Sequence, residues 1–232
     1  MNIQYHIIRL GITNCYLIST GNDYLLIDTS TKKKYSEFRK KIDCMNIKLS
    51  QIKYVFLTHH HLDHTGFLNR ILLDSNAELI IHASAVPWIE VGKNNPLMKG
   101  TTSLIRAVMK LQNKLLHEKI NERVKIEKSK THIITEDANL PGTLSSPAKI
   151  ICLPGHTADS IGLVFDDGNA FVGDAAINIL NFLGLKNMPI VAENQPKIWL
   201  SWQKIKENGG RKIFVSHGKS INIDTLLNKI PQ

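Results

Sequence analysis

The ten residues Leu57–Gly66 read LTHHHLDHTG and hold four of the chain's ten histidines within six positions. Polar, ionisable side chains crowded directly after an apolar run cost stability unless something binds them, so this segment constrains the fold more than any other. The preceding IKYVFLT has the composition of a buried strand, and the following GFLNRILLDSN that of a helix. The cluster therefore falls where a strand ends and a helix begins, the edge at which α/β architectures expose their chemistry. His59 and His61 are two apart and project to the same side of an extended chain, so both can grip one ion. Asp63 and His64 continue into the turn, towards a second. Imidazole and carboxylate are ligands that borderline metals such as zinc prefer. His60, at the opposite parity, is expected to face away and to be structural.

The 232 residues suit one large domain, or one domain with an insertion, and 43% hydrophobic content permits a core without staples. Cys15, Cys44 and Cys152 are odd in number, widely spaced and without a CxxC, which predicts reduced thiols in a cytoplasmic setting. The opening MNIQYHIIRLGITN lacks the apolar core of a signal peptide and no run reaches membrane-spanning length, so no membrane partner is expected. The formal charge of +9 raises a nucleic-acid partner. The lysines are scattered, however, with Lys32–Lys34 the longest run and no aromatic residues interleaved. A solvated basic surface is the plainer account.

NCYLIST and DYLLIDTS read as strands joined at Gly21-Asn22-Asp23, followed by a helix over KKKYSEFRKKIDCM. AELIIHAS is a further strand. Then Pro87, Gly92, Asn94, Asn95 and Pro96 break the pattern, and TTSLIRAVMKLQNKLLHEK predicts an amphipathic helix. Its apolar stripe is Leu104, Val108, Leu111 and Leu115; Arg106, Lys110 and Lys114 form a basic stripe elsewhere. The region from about 87 to 130 thus reads as a helical insertion or lid. Strands return with AKIICLP, SIGLVFDD and NAFVGDA, then a helix over PKIWLSWQKIKEN, a strand KIFVSHG and a terminal helix INIDTLLNKI.

With these neighbours, THHHLDH resembles the signature of the metallo-β-lactamase superfamily, and the likeness runs nearly end to end, weakest over 87–130. PGHT supplies His156, VGDA supplies Asp174 and SHG supplies His217, each after an apolar strand. LIDTS, with Asp28, matches the element that packs beneath the metal loop in that family. The resemblance implies a single α/β domain over 1–232, a four-layer αββα sandwich with its site at one edge. It implies two divalent ions, zinc first, with iron or manganese as alternatives. One would be held by His59, His61 and His156, the other by Asp63, His64 and His217, with Asp174 bridging. Such ions lie about 3.5–4 Å apart and share a hydroxide that attacks a carbonyl or phosphoryl centre. Asp63 would be the catalytic residue that orients it and passes a proton to the leaving group.

Asp174 also separates subfamilies: antibiotic-hydrolysing members typically lack an aspartate there, whereas thioesterases, lactonases and nucleases have one. A true β-lactamase is therefore not expected. Hydroxyacylglutathione hydrolases are similar in THHHLDH and GHT but continue DHxGG, where this chain has Asp63-His64-Thr65-Gly66-Phe67. Their helical glutathione-holding domain has no room in the fifteen residues after His217. N-acyl homoserine lactonases share the ligand set, with a helper tyrosine where Ile177 stands here. The expected function is hydrolysis of a small-molecule ester, lactone or thioester, with a homodimer left open. The alternatives are a metal-dependent nuclease or phosphodiesterase, favoured by the net charge, and a metal-binding regulatory protein without turnover. A purely structural zinc closes with four ligands and needs no bridge, which disfavours the last. Candidate substrate contacts are Arg106, Lys110 and Lys114 on the insertion and His82 at the end of its strand. Trp88, Met98 and Met109 read as core or pocket lining, and Cys152 as core.

Overall fold

Strands covered on both faces read as unbroken apolar runs, and β2 (Thr13–Ser19) is buried along nearly its whole length. Cys15 and Leu17 point into one apolar layer, Tyr16 and Ile18 into another. The same alternation divides β5 (Glu78–His82), with Leu79 and Ile81 opposed to Ile80. In this computed structural model residues 3–95, 98–103, 105–106, 122–141, 147–179 and 181–231 are described.

One six-stranded sheet has the order β1 (Tyr5–Leu10), β2, β3 (Tyr24–Ile27), β4 (Ile52–Phe56), β5, β7 (Thr131–Ile134). It is antiparallel through β3 and parallel from there on. Its outer face is covered by α1 (Tyr35–Cys44), α3 (Leu68–Ser75) and α4 (Val86–Val91), which contribute Phe38, Ile42, Leu68, Ile71 and Ile89. The second sheet runs β14 (Ile221–Asn222), β13 (Lys212–Phe214), β11 (Asn169–Phe171), β10 (Ile161–Phe165), β9 (Ala148–Cys152), β8 (Ala138–Asn139). Its outer face carries α5 (Gln195–Glu207) and α6 (Ile223–Leu227), through Ile198, Trp202, Ile205 and Leu226. Between the sheets lie Tyr16, Phe56, Phe165, Phe171 and Phe214, with Phe171 and Phe214 stacked at 4.7 Å. Three apolar layers between four layers of structure make the αββα sandwich.

Apart from the helix expected over 101–119, the expected strands and helices are present, and the hairpin turn at 21–23 joins β2 to β3. The two-residue strands are additions to the sequence reading, including β6 (Lys99–Gly100), which pairs with β12 (Val191–Ala192). KIFVSHG is a strand only over Lys212–Phe214, and the terminal helix is preceded by β14. Of the helix expected over 101–119, only 101–103 and 105–106 are described; the rest of its length lies outside the described residues. Among the described residues no helix is long and apolar enough to cross a membrane. All three cysteines are unpaired.

What positions the site is the parallel run of β3 and β4 and of β11 and β13, whose C-terminal ends open at one edge. There the turns pack closely. A Cβ on Gly66 would collide with the Lys32 amide and the backbone of Ser30 and Thr31. Gly66→Ala is therefore expected to lower the free energy of unfolding by about 2–3 kcal/mol, the cost of forcing backbone apart in a packed region. Chemical denaturation checks it, and an unchanged midpoint would contradict the packing.

Candidate metal centre

β4 ends at Phe56, and five residues on His61, itself extended, is the N-cap of α2 (Leu62–Thr65). Asp63 and His64 lie in that single turn. His156 follows β9, Asp174 sits in a short 3-10 turn after β11, and His217 follows β13. All seven residues expected as ligands are brought to one place, in overlapping groups. His59 Nε2, His61 Nδ1 and His156 Nε2 form a triangle with edges of 3.1, 3.2 and 3.0 Å. His217 Nε2 is 3.4 Å from Asp63 Oδ2, and His64 Nε2 is 3.8 Å from Asp63 Oδ1. Asp174 Oδ2 lies between the groups, 3.7 Å from His64 Nε2, 3.7 Å from His156 Nε2 and 3.4 Å from His217 Nε2.

The far side of four of the five rings, all but that of His61, is occupied. His156 Nδ1 faces the Val191 carbonyl at 2.8 Å and His217 Nδ1 the Ile12 carbonyl at 3.0 Å, and carbonyls only accept. His64 Nδ1 faces Asp28 Oδ2 at 2.9 Å. Thr58 donates its hydroxyl to Asp28 Oδ2 at 2.7 Å, so at 3.0 Å it accepts from His59 Nδ1. These partners place the proton on Nδ1 and turn the Nε2 lone pairs of His59 and His156 towards each other. No proton remains to hold them at 3.2 Å. A cation satisfies this arrangement, and a tetrahedral ion with ligands at about 2.0–2.1 Å spaces its nitrogens about 3.3 Å apart. The buried atoms His61 Nε2, His64 Nε2 and Asp174 Oδ1 have no hydrogen-bond partner, and His64 Nε2 faces Asp174 Oδ2 within the same cluster. The donor set is all imidazole and carboxylate, which fits a divalent ion.

The two groups differ electrostatically. Burial, reinforced by neighbouring imidazoles, holds His59 and His61 well below the ordinary histidine range, and burial lowers His156 as well. Burial would also lower His64, but the Asp63, Asp174 and Asp28 carboxylates outweigh it and raise it to about 9. His217 is likewise pushed up to about 11 against its burial, chiefly by Asp174 and Asp63. Desolvation would raise both acids, yet His64 beside Asp63 and His217 beside Asp174 hold them far below the carboxylate range.

His60 faces away from the cluster, as its parity predicts: its Nδ1 pairs with Asp159 Oδ1 at 2.8 Å and its ring stacks on Trp88. His82 is not in the cluster; its Nδ1 accepts from the Ser84 amide at 3.2 Å and caps a 3-10 turn. Arg106 donates to Gly100 O and to Ser103 Oγ, both at 3.0 Å, so its guanidinium is engaged within its own segment. Lys110, Lys114 and Met109 lie outside the described residues. Met98 is half-buried, as is Cys152, whose amide bonds Asp137. Ile177 is buried. Sequence reasoning missed Thr58 and Asp159, although each adjoins a motif, and the Val191 and Ile12 carbonyls, for which no side-chain signal exists.

Residues 8–217 match a family model described as the metallo-beta-lactamase superfamily. The chain is 28% identical over 178 residues to the probable metallo-hydrolase YflN of Bacillus subtilis (strain 168), covering 75% of this chain and 64% of that protein. A stretch of 58 residues is 40% identical to the atrochrysone carboxyl ACP thioesterase AacuM of Aspergillus aculeatus, 23% of this chain and 17% of that one. The chain thus spans less than two thirds of the length of these relatives. Among solved structures, the BLEG-1 B3 metallo-beta-lactamase superposes with a TM-score of 0.70 at 16% identity, over 98% of both chains, a likeness of fold.

Two outcomes follow from the geometry. Asp28→Asn would present an amide to His64 Nδ1 and unsettle its tautomer, so affinity for divalent zinc should fall about 10–100-fold in a chelator competition; unchanged affinity would count against Asp28 as the orienting group. In metal-free protein at pH 7, His64 (about 9) and His217 (about 11) lie above the solution pH and hold protons. Metal binding must displace them, so calorimetric heats should vary with the buffer's ionisation enthalpy, with up to about two protons released, fewer as pH passes 9. Heats independent of buffer would show that these imidazoles are not ligands.

Proposed function

The chain belongs to the metallo-β-lactamase superfamily, and from that premise we propose that it is a metal-dependent hydrolase of a small ester, lactone or thioester that works with two divalent ions, zinc foremost. The observation that carries this is the place of Asp174, whose Oδ2 lies within 3.4–3.7 Å of imidazoles from both groups. His59, His61 and His156 would hold one ion and Asp63, His64 and His217 the other, with Asp174 shared. Ions bound there would supply a water activated at neutral pH and an electrophile for the substrate's carbonyl oxygen.

The chain's own groups do the rest. Asp28, Thr58 and the two backbone carbonyls fix the rings before substrate arrives, so little reorganisation is left for the reaction. Asp63 differs from the other ligands in having its side chain 39% exposed. One oxygen faces His217 and the carboxyl reaches solvent, so it can take a proton from the attacking water and hand it to the leaving oxygen or sulfur. Support for an acyl substrate comes from the fungal thioesterase stretch, and support for hydrolysis from the bacterial relative. An aspartate at the shared position speaks for these substrates over β-lactams. Arg106, tied to its own backbone, lends nothing to the polynucleotide alternative.

Zinc-loaded protein should hydrolyse members of a panel of lactones, aryl esters and acyl thioesters, and should leave a penicillin and a cephalosporin nearly untouched. His61→Ala and Asp174→Ala should each reduce kcat/KM by more than the roughly 10–100-fold expected of an outer partner. Turnover that survives both substitutions would refute the assignment.

A further inference from the structure

His60 is buried and belongs to none of the candidate metal groups, and its amide and both ring nitrogens all have partners. Its amide donates to Asp159 Oδ2 at 2.8 Å while its Nδ1 meets Asp159 Oδ1 at 2.8 Å, so one carboxyl group clasps both backbone and ring. Asp159 lies three residues beyond His156. That clasp therefore joins the two stretches that supply all three nitrogens of the first group. The opposite edge of the ring reaches elsewhere: Nε2 accepts from the Asn95 amide at 3.1 Å, and the ring face stacks on Trp88 with centroids 5.6 Å apart. An imidazole that donates from one nitrogen and accepts at the other spans two partners no apolar residue could join.

The segment so reached, 88–95, is fastened to the ligand loops at further points. The Leu62 amide, between the ligands His61 and Asp63, donates to Asn94 Oδ1 at 3.0 Å. Asn95 Nδ2 donates to Glu193 Oε1 at 2.7 Å, and the Glu193 amide holds the His156 carbonyl. Beyond, β6 pairs with β12, whose Val191 carbonyl orients the His156 ring. Segment 88–95 thus lies against both loops of the first group.

We propose that His60 is a positioning residue: through Asp159 on one side and Asn95 and Trp88 on the other, it locks segment 88–95 onto the metal-binding loops and so sets how firmly substrate is held. The effect on substrate rests on the hydrolase reading; the lock itself does not. The two edges of the ring can be tested apart. Asparagine places an amide nitrogen where Nδ1 lies and keeps the Asp159 contact, but falls short of Asn95. Glutamine extends an oxygen to where Nε2 lies and keeps the Asn95 contact.

The experiment is hydrogen–deuterium exchange of the full chain with zinc, together with zinc content and steady-state kinetics on the best panel substrate. His60→Asn should speed exchange in 88–95 by about fivefold or more, the weight of one lost hydrogen bond, while the β4 and β9 peptides stay protected. Zinc content should hold, and KM should rise more than kcat falls. His60→Gln should restore slow exchange and most of KM. If His60→Asn does not fold, Trp88→Leu, which removes the stacking from a half-buried position, should speed the same segment. Exchange in 88–95 unchanged by both His60→Asn and Trp88→Leu would overturn the proposal, as would loss of zinc from His60→Asn and His60→Gln alike. Exchange altered as expected in a protein without hydrolytic turnover would leave the lock standing and sink the hydrolase reading instead.

Discussion

The carboxyl group of Asp28 is the point on which the site hangs. It is fully buried and accepts from the Thr58 amide at 2.8 Å, the Thr58 hydroxyl at 2.7 Å and the Ser216 hydroxyl at 3.2 Å, with His64 Nδ1 at 2.9 Å. Those partners come from the ends of β4 and β13 and from α2, so one residue gathers three ligand-bearing segments from both sheets. Burying such a group without partners would cost several kcal/mol, so the loops must close round it for the chain to fold at all. Its backbone is bent to a φ of 56°, in the left-handed region that aspartate tolerates better than most side chains. The bend turns the chain out of β3 and brings the carboxyl under the metal loop.

Close approach of the loops follows from the same requirement. Gly173, with a φ of 57°, precedes Asp174 at a point where a Cβ would run into the Thr58 side chain. Thr58 cannot give way, because its hydroxyl already bridges Asp28 and His59. The shared carboxylate thus reaches the imidazoles because a glycine lets one strand end settle directly on another. Fold stability and ligand placement are here one constraint.

Much of this was legible in the sequence, and the limit has a physical form. The histidine spacing and the apolar runs before each ligand carry their meaning locally: period-two alternation fixes which side His59 and His61 face, and His60 faces the other, as expected. The residues of the cluster could be read because each is a distinctive side chain in a motif that follows an apolar strand. Their orienting partners could not, where those are backbone carbonyls such as Val191 and Ile12, since a carbonyl carries no residue identity. Short strands such as β12 and β14 were missed for a related reason. Two residues have no periodicity, and pairing across the sheet, not propensity, makes them strands. His82, read as a candidate substrate contact, caps a 3-10 turn, a role that its place at a strand end does not announce.

If two ions bind as proposed, the electrostatic contrast between the two groups gives their loading an order. Three imidazoles kept neutral by burial present lone pairs at once, so the first ion meets no competing proton. The other group holds its imidazoles protonated beside Asp63 and Asp174, a pairing that neutralises the pocket while it waits. An ion entering there would have to displace protons that the carboxylates stabilise, and a cation already in the first group, near Asp174, would make those protons easier to remove. On the proposed two-ion reading, occupancy of the first group would therefore favour loading of the second through Asp174, whose Oδ2 lies near imidazoles of both.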